Sequence, residues 1–329
     1  YDDVILIPQH STLASRADAD TSTTLGSFKL SLPIISSNMD TITGAKMATA
    51  MYYCGGLGAL QRVMGHNECL AQYMAIVSAG ADCIVSVGVD DDSKYLVDGF
   101  CACGARTILV DVAHAHSDKM AEMLSWIRKC YPEYYVIAGN VATGTAARFL
   151  EDAGAMCLKA GIGGGSICKT RVVTGHGYPN FSSIVDVRSA TTLPIIADGG
   201  IKSSGDIVKA IVAGANFVMI GSLLAGSDET PGDIIMKRGI PYKVYRGMAS
   251  SEVLNDYRDA TRQRPASEGV STMVHSKGAV VTILAELAGG IRSGMSYCGA
   301  RTIDEIYRNA LVAQQTTNGV REGQAHILS

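Results

Sequence analysis

Eight short apolar runs, many of them running out into Gly, Ser, Asn or Asp, recur along this chain with stretches of helical spacing between them. That alternation constrains the fold more than any other feature. The runs occupy 33–36, 56–60, 82–89, 107–113, 135–141, 155–160, 193–197 and 217–221, and helix candidates include 44–53, 117–130, 142–153 and 204–213, the last with Ser203 and Ser204 as suitable caps. Near-continuous apolar strands followed by helices imply a parallel sheet covered by helices. Eight of them close most simply into a single-domain α/β fold, a (β/α)8 TIM barrel over 1–329, with a doubly wound open sheet as the competing arrangement. Barrel chemistry sits at the C-terminal ends of strands, where ISSNMD, VDVAH, AGNV, KAGIGGGSIC, ADGG and IGS all fall.

The chain has 329 residues, 47% apolar and 18% charged, which supplies a core for one large domain. A formal charge of −3 without any basic run argues against a nucleic-acid surface. No apolar run approaches the roughly 18 residues that cross a bilayer, so no membrane partner is expected. Nine cysteines without zinc spacing or the density of a secreted scaffold point to a reducing, cytoplasmic compartment. The opening 1–26 joins a short apolar run to a polar stretch and reads as a lead-in segment. After Gly226 the alternation stops, 246–270 has the composition of a mobile flap, and helical spacing resumes over 280–291.

The stretch GIGGGSICKTRVVTGHGYP, 161–179, sets Cys168 behind a run of glycines and ahead of small and hydroxyl residues. Side chains there are too small to build a core. Such a loop lets backbone amides and one thiol approach a ligand closely, and a thiol attacks as thiolate. A lone intracellular cysteine is more often a small buried apolar residue, but Ser166, Cys168 and Thr170 following directly on Gly161, Gly163 and Gly165 form a specific pattern.

This catalytic loop resembles that of the IMP dehydrogenase and GMP reductase family, and the resemblance extends over nearly the whole chain. It implies that Cys168 adds to C2 of a purine nucleotide monophosphate. It further implies that the backbone at Gly163, Gly165 and Cys168 holds a monovalent cation such as K⁺, and that the protein is a homotetramer. Many IMP dehydrogenases carry a regulatory module of paired cystathionine-synthase-type motifs after the second strand; here 62–81 is too short to hold one.

Glycine turns at Asp198-Gly199-Gly200 and Gly221-Ser222 stand where barrels build a phosphate site, with Ser166 and Tyr245 as hydroxyl donors. Asp198 is a carboxylate suited to ribose hydroxyls. The resemblance assigns these same jobs, places Ser37 and Met39 against ribose and base, and gives the purine edge to the backbone of Gly247, Met248 and Ala249. Asp111, Ala113 and Asn140 lie at strand ends on the side expected for the nicotinamide cofactor. His114 and His116 lack a third ligand type nearby and make a poor metal site.

Glu268 in PASEGV reads on composition as a surface carboxylate. In reductases similar to this chain, however, such a glutamate meets the loop threonine, here Thr170, and the pair protonates departing ammonia. A dehydrogenase must hydrolyse its covalent intermediate and does so with an Arg-Tyr dyad on the flap. Only 19 residues separate Met248 from Glu268, and none of them forms that dipeptide. The expectation is therefore a GMP reductase using NADPH, with an NAD-dependent IMP dehydrogenase as the alternative. Segments 55–62 and 292–301 look more like dehydrogenases, and Arg62 stands where many reductases have lysine. A catalytically silent nucleotide-binding relative is the reading from another class.

Overall fold

The computed structural model of this protein describes residues 1–257 and 266–325. Eight parallel strands, Ile34–Ser36, Leu57–Leu60, Ile84–Val87, Thr107–Asp111, Tyr135–Val141, Cys157–Ala160, Ile195–Asp198 and Phe217–Ile220, follow one another around a closed barrel. Closure is made by the last strand on the first, with Val218 opposite Ile34 and Ile220 opposite Ser36. An open doubly wound sheet would leave both edges unpaired; this pairing excludes it.

The helices that cover the barrel follow from the spacing of their apolar residues. In Asp118–Cys130, Met120, Met123, Leu124 and Ile127 are buried in one stripe, while Asp118 in the first turn and Arg128 and Lys129 in the last complement the helix dipole. Thr143 caps Gly144–Asp152 through the Ala146 amide, and Ser203 caps Ser204–Val212 through that of Asp206. The helix expected over 280–291 continues to Tyr297. Gly289, Gly290 and Gly294 interrupt its apolar period, yet two of them serve packing: a Cβ on Gly290 would collide with the Ser204 side chain, and one on Gly294 would lie 2.7 Å from Val208. The two helices approach so closely because those side chains are absent.

Inside the barrel, Ile35, Leu57, Ile84, Leu109, Ile137, Cys157, Ile196, Phe217 and Met219 form an apolar plug with Leu25, Phe28 and Leu30. The last three come from a hairpin, Thr23–Leu25 with Phe28–Leu30, that starts in the lead-in segment and packs against the lower barrel interior. The same segment supplies Val4–Ile7, paired antiparallel with Leu311–Gln314. Neither pairing follows from local pattern, since the partner strands are short and, in the second case, some 300 residues apart.

The region after Gly226, where the strand-helix alternation stops, holds a three-stranded antiparallel sheet, Ile235–Lys237, Ile240–Arg246 and Ser271–His275. In 246–270, the segment expected to be a mobile flap, Ser251–Tyr257 is helical and 258–265 lie outside the described residues. Between the second and third barrel strands there is one helix, His66–Ser78, and no inserted domain. Among the described residues no helix is long and apolar enough to cross a membrane, and all nine cysteines are free.

Candidate active site

The loop after the sixth strand folds back over the barrel mouth because its glycines permit it. Gly161 and Gly163 have φ of 137° and 77°, and a Cβ on Gly161 would collide with the Asp198 carbonyl. A Cβ on Gly199 would lie 3.2 Å from the Gly165 amide, so the Cys168 loop and the Asp198-Gly199-Gly200 turn pack backbone on backbone. Asn180 locks the two together by donating to the Gly199 carbonyl at 2.6 Å. Cys168 is left exposed at the top of this layer.

Cys168 Sγ donates to Thr170 Oγ1 at 3.2 Å, and Thr170 Oγ1 donates to Glu268 Oε2 at 2.7 Å. Thiol, hydroxyl and carboxylate thus form one continuous line. Glu268 is held there by backbone: Lys169 N donates to Glu268 O at 2.6 Å, Val270 N to Ile167 O at 3.0 Å, and Cys168 and Gly269 form an antiparallel bridge. On its other side the segment is tied to the turn around Met248, since Glu268 N and Gly269 N donate to Ala249 O at 3.0 and 3.1 Å and Gly247 N donates to Val270 O. The carbonyl of Ala249, expected at the purine edge, is therefore engaged within the protein.

Beneath the loop sits a lysine that the sequence reading passed over. Lys159, on the sixth strand and only 3% exposed, places Nζ 2.8 Å from Asp111 Oδ1 and 2.7 Å from Asp198 Oδ2. The one signal for it was a charge inside an otherwise apolar strand, CLKA, where an unpaired ammonium is untenable. Burial alone would lower its pKa, but the two carboxylates raise it above the ordinary lysine value. Burial alone would likewise raise Asp111; the Lys159 charge and hydrogen bonds from Lys159 and Asn38 instead hold it below the ordinary carboxylate value. Asn38 donates to Asp111 Oδ2 at 2.8 Å, and Arg62 donates to the Asp111 carbonyl at 3.2 Å.

Asn140, expected on the cofactor side, instead turns its amide to the Gly161 carbonyl at 2.6 Å and to Asp198 Oδ2 at 2.9 Å. Its Oδ1 is buried without a hydrogen-bond partner among the described residues. Asp111 keeps a partly exposed side chain, and Ala113, His114 and His116 are exposed beside it. A carboxylate flanked by open backbone suits the hydroxyls of a cofactor ribose.

The residues expected around phosphate converge. Ser166 Oγ and the Tyr245 hydroxyl are 3.1 Å apart, and a Cβ built on Gly221 would meet Ser37 Oγ and Met39 Sδ at 3.3 Å and the Tyr245 hydroxyl at 3.4 Å. Burial raises the Tyr245 pKa, which keeps its phenol a neutral donor. Gly200 has φ of 75°, and the Ser222 carbonyl accepts from Lys277 at 2.9 Å. The first-strand loop is clamped over this group by Asp40, paired with Arg246 at 2.7 Å, and by Met248, whose Sδ accepts from Asp40 N at 3.4 Å.

For the expected cation, the Gly165 carbonyl accepts from Cys168 N at 3.1 Å, and a Cβ on Gly163 would meet the Arg171 stem at 2.6 Å. Among the described residues no three His, Cys, Asp or Glu side chains cluster as metal ligands.

A family model described as the IMP dehydrogenase / GMP reductase domain matches residues 1–326. An inosine-5'-monophosphate dehydrogenase of Nitrosopumilus maritimus is 29% identical over 99% of this chain and 97% of its own length. That of Chlorobaculum tepidum is 42% identical over 73% of this chain and 51% of its own. A GMP reductase of Bacillus cereus is 37% identical over 93% of this chain and 92% of its own. The chain thus spans about half the length of several dehydrogenases that it matches.

Proposed function

The chain belongs to the IMP dehydrogenase / GMP reductase family of nicotinamide-dependent oxidoreductases that act on purine nucleotide monophosphates, and from that premise we propose that it is a GMP reductase. It would convert GMP to IMP and ammonia with NADPH. The observation that carries this is the 2.7 Å hydrogen bond between Thr170 and Glu268, in line with the Cys168 thiol.

Each step uses a group on that line. As Cys168 attacks C2 of GMP, its proton passes through Thr170 to Glu268, and the thiolate forms the carbon–sulfur bond. Glu268 returns a proton through Thr170 to the 2-amino group, which leaves as ammonia while C2 stays bonded to sulfur. NADPH, when bound, supplies hydride to C2. Cys168 then leaves as thiolate, the electron pair of the carbon–sulfur bond returns to sulfur, and IMP is released. Ser166, Gly199, Gly200, Gly221, Ser222 and Tyr245 would hold the phosphate, Asp198 the ribose, and Ser37, Met39, Gly247, Met248 and Ala249 the ribose and base. Asp111 and Ala113 would receive the cofactor, with Asn140 acting through Asp198.

An NAD-dependent IMP dehydrogenase is the second reading, favoured by dehydrogenases 40–43% identical over 73% of the chain. Against it stand the 19 residues between Met248 and Glu268, which hold no Arg-Tyr pair to activate water. Nicotinamide absorbance separates the two: consumption of NADPH with GMP alone supports the reductase, and reduction of NAD with IMP alone overturns it. The same premise supports a cytoplasmic homotetramer, a K⁺ dependence and a mobile flap over 246–270, checked by light scattering, salt exchange and limited proteolysis.

A further inference from the structure

We propose that Lys159 is a positioning residue that joins the nucleotide half of the site to the cofactor half, its single ammonium holding the carboxylates of Asp198 and Asp111 in one orientation together. This rests on the assignment of ribose to Asp198 and of cofactor to Asp111. The two carboxylates come from the seventh and fourth barrel strands and meet at Nζ, at 2.7 and 2.8 Å.

Among the described residues each carboxylate has one further side-chain donor. Asn140 shares Asp198 Oδ2 with the lysine, so neither bond falls on Asp198 Oδ1. Asn38 takes Asp111 Oδ2 while the lysine takes Oδ1. Two like charges sharing a half-buried mouth repel one another unless a cation stands between them. Removing the ammonium therefore turns the two carboxylates away from one another. Damage on the cofactor side then spreads to the nucleotide side through charge alone.

The test is calorimetric titration of the whole protein with GMP, without cofactor, for wild type, Asp198→Asn, Asp111→Asn, Lys159→Met and the double variant Lys159→Met/Asp111→Asn. Lys159→Met should weaken GMP binding roughly tenfold or more. The double variant should regain most of that loss, although Asp111 is not a nucleotide contact; a lysine that merely fills space gives no such rescue. A double variant that binds no better than Lys159→Met overturns the proposal, as does wild-type affinity in Lys159→Met. Wild-type affinity in Asp198→Asn overturns the ribose assignment itself and the proposal with it, which sets that failure apart. Should Lys159→Met not fold, Lys159→Gln with and without Asp111→Asn gives the same comparison.

Discussion

The Thr170 hydroxyl and Oε2 of Glu268, 98 positions apart in the chain, lie 2.7 Å from one another, and the Cys168 thiol donates to the same hydroxyl. One hydroxyl therefore connects the nucleophile to a carboxylate brought in from a different part of the fold. If protons travel along this line, Glu268→Gln lowers kcat for GMP reduction by roughly 10²–10⁴ while leaving GMP affinity within about twofold. Thr170→Ala does the same. The double variant is no worse than the poorer single, since the two act as one unit; losses that simply multiply would show two independent roles.

Cys168 is exposed and, as nucleophile, should be captured by an electrophilic purine nucleotide. Intact-mass measurement is expected to show one adduct on wild type and none on Cys168→Ala. A wild-type protein left unmodified would point to a silent nucleotide-binding relative.

Gly269 has room for nothing larger. A Cβ there would stand 2.9 Å from Ser250 N and 3.1 Å from the Ala249 carbonyl carbon, so backbone must move. Gly269→Ala should shift Glu268 off Thr170 and lower kcat much as Glu268→Gln does. Wild-type kcat in this variant would show that the bridge to Cys168 does not position the carboxylate.

Gly221 is milder. Its Cβ would reach Ser37, Met39 and Tyr245 at 3.3–3.4 Å, tight contacts that side chains can relieve by small shifts. Gly221→Ala should therefore keep the fold, with an unchanged melting temperature, and raise the KM for GMP by roughly tenfold through crowding of backbone amides at the phosphate. An unaltered KM would move the phosphate elsewhere.

Asp111 has a folded pKa below its ordinary value, near 3.9 in an unfolded chain. A depressed carboxyl contributes stability that is present above the unfolded value and is lost as pH falls through the folded one. Lys159, with a raised pKa, contributes stability that is present below about 10.4 and is lost only at stronger alkali. The cluster should be indifferent to pH between these limits. Urea unfolding at several pH values is expected to show Asp111→Asn destabilised at pH 5–9, the deficit shrinking below pH 4; a deficit that persists unchanged in acid would contradict the ion pair.

The barrel was legible in the chain because a parallel strand buried on both faces must be apolar throughout, and eight such runs leave little else to build. Lys159 was overlooked for the same reason: one charge in CLKA does not disturb the pattern that marks the strand. The sheet formed by Ile240–Arg246 and Ser271–His275 was not legible, since its outer face carries Ile240, Val244 and Met273 in the open and its pairing spans the flap. Asn140 was expected to face the cofactor, but its amide turns to Asp198 and Gly161.

By itself the order of residues determined that there would be a closed layer of strands, and that a thiol, a hydroxyl and glycine turns would stand at their ends. Those are properties of near neighbours along the chain. That Glu268 reaches Thr170 was expected from a resemblance and from no local pattern, and only the tertiary structure decided that Asp111 and Asp198 share Lys159. Such meetings depend on how the barrel closes and where the antiparallel sheet returns the chain, and no local period encodes a distance across the mouth.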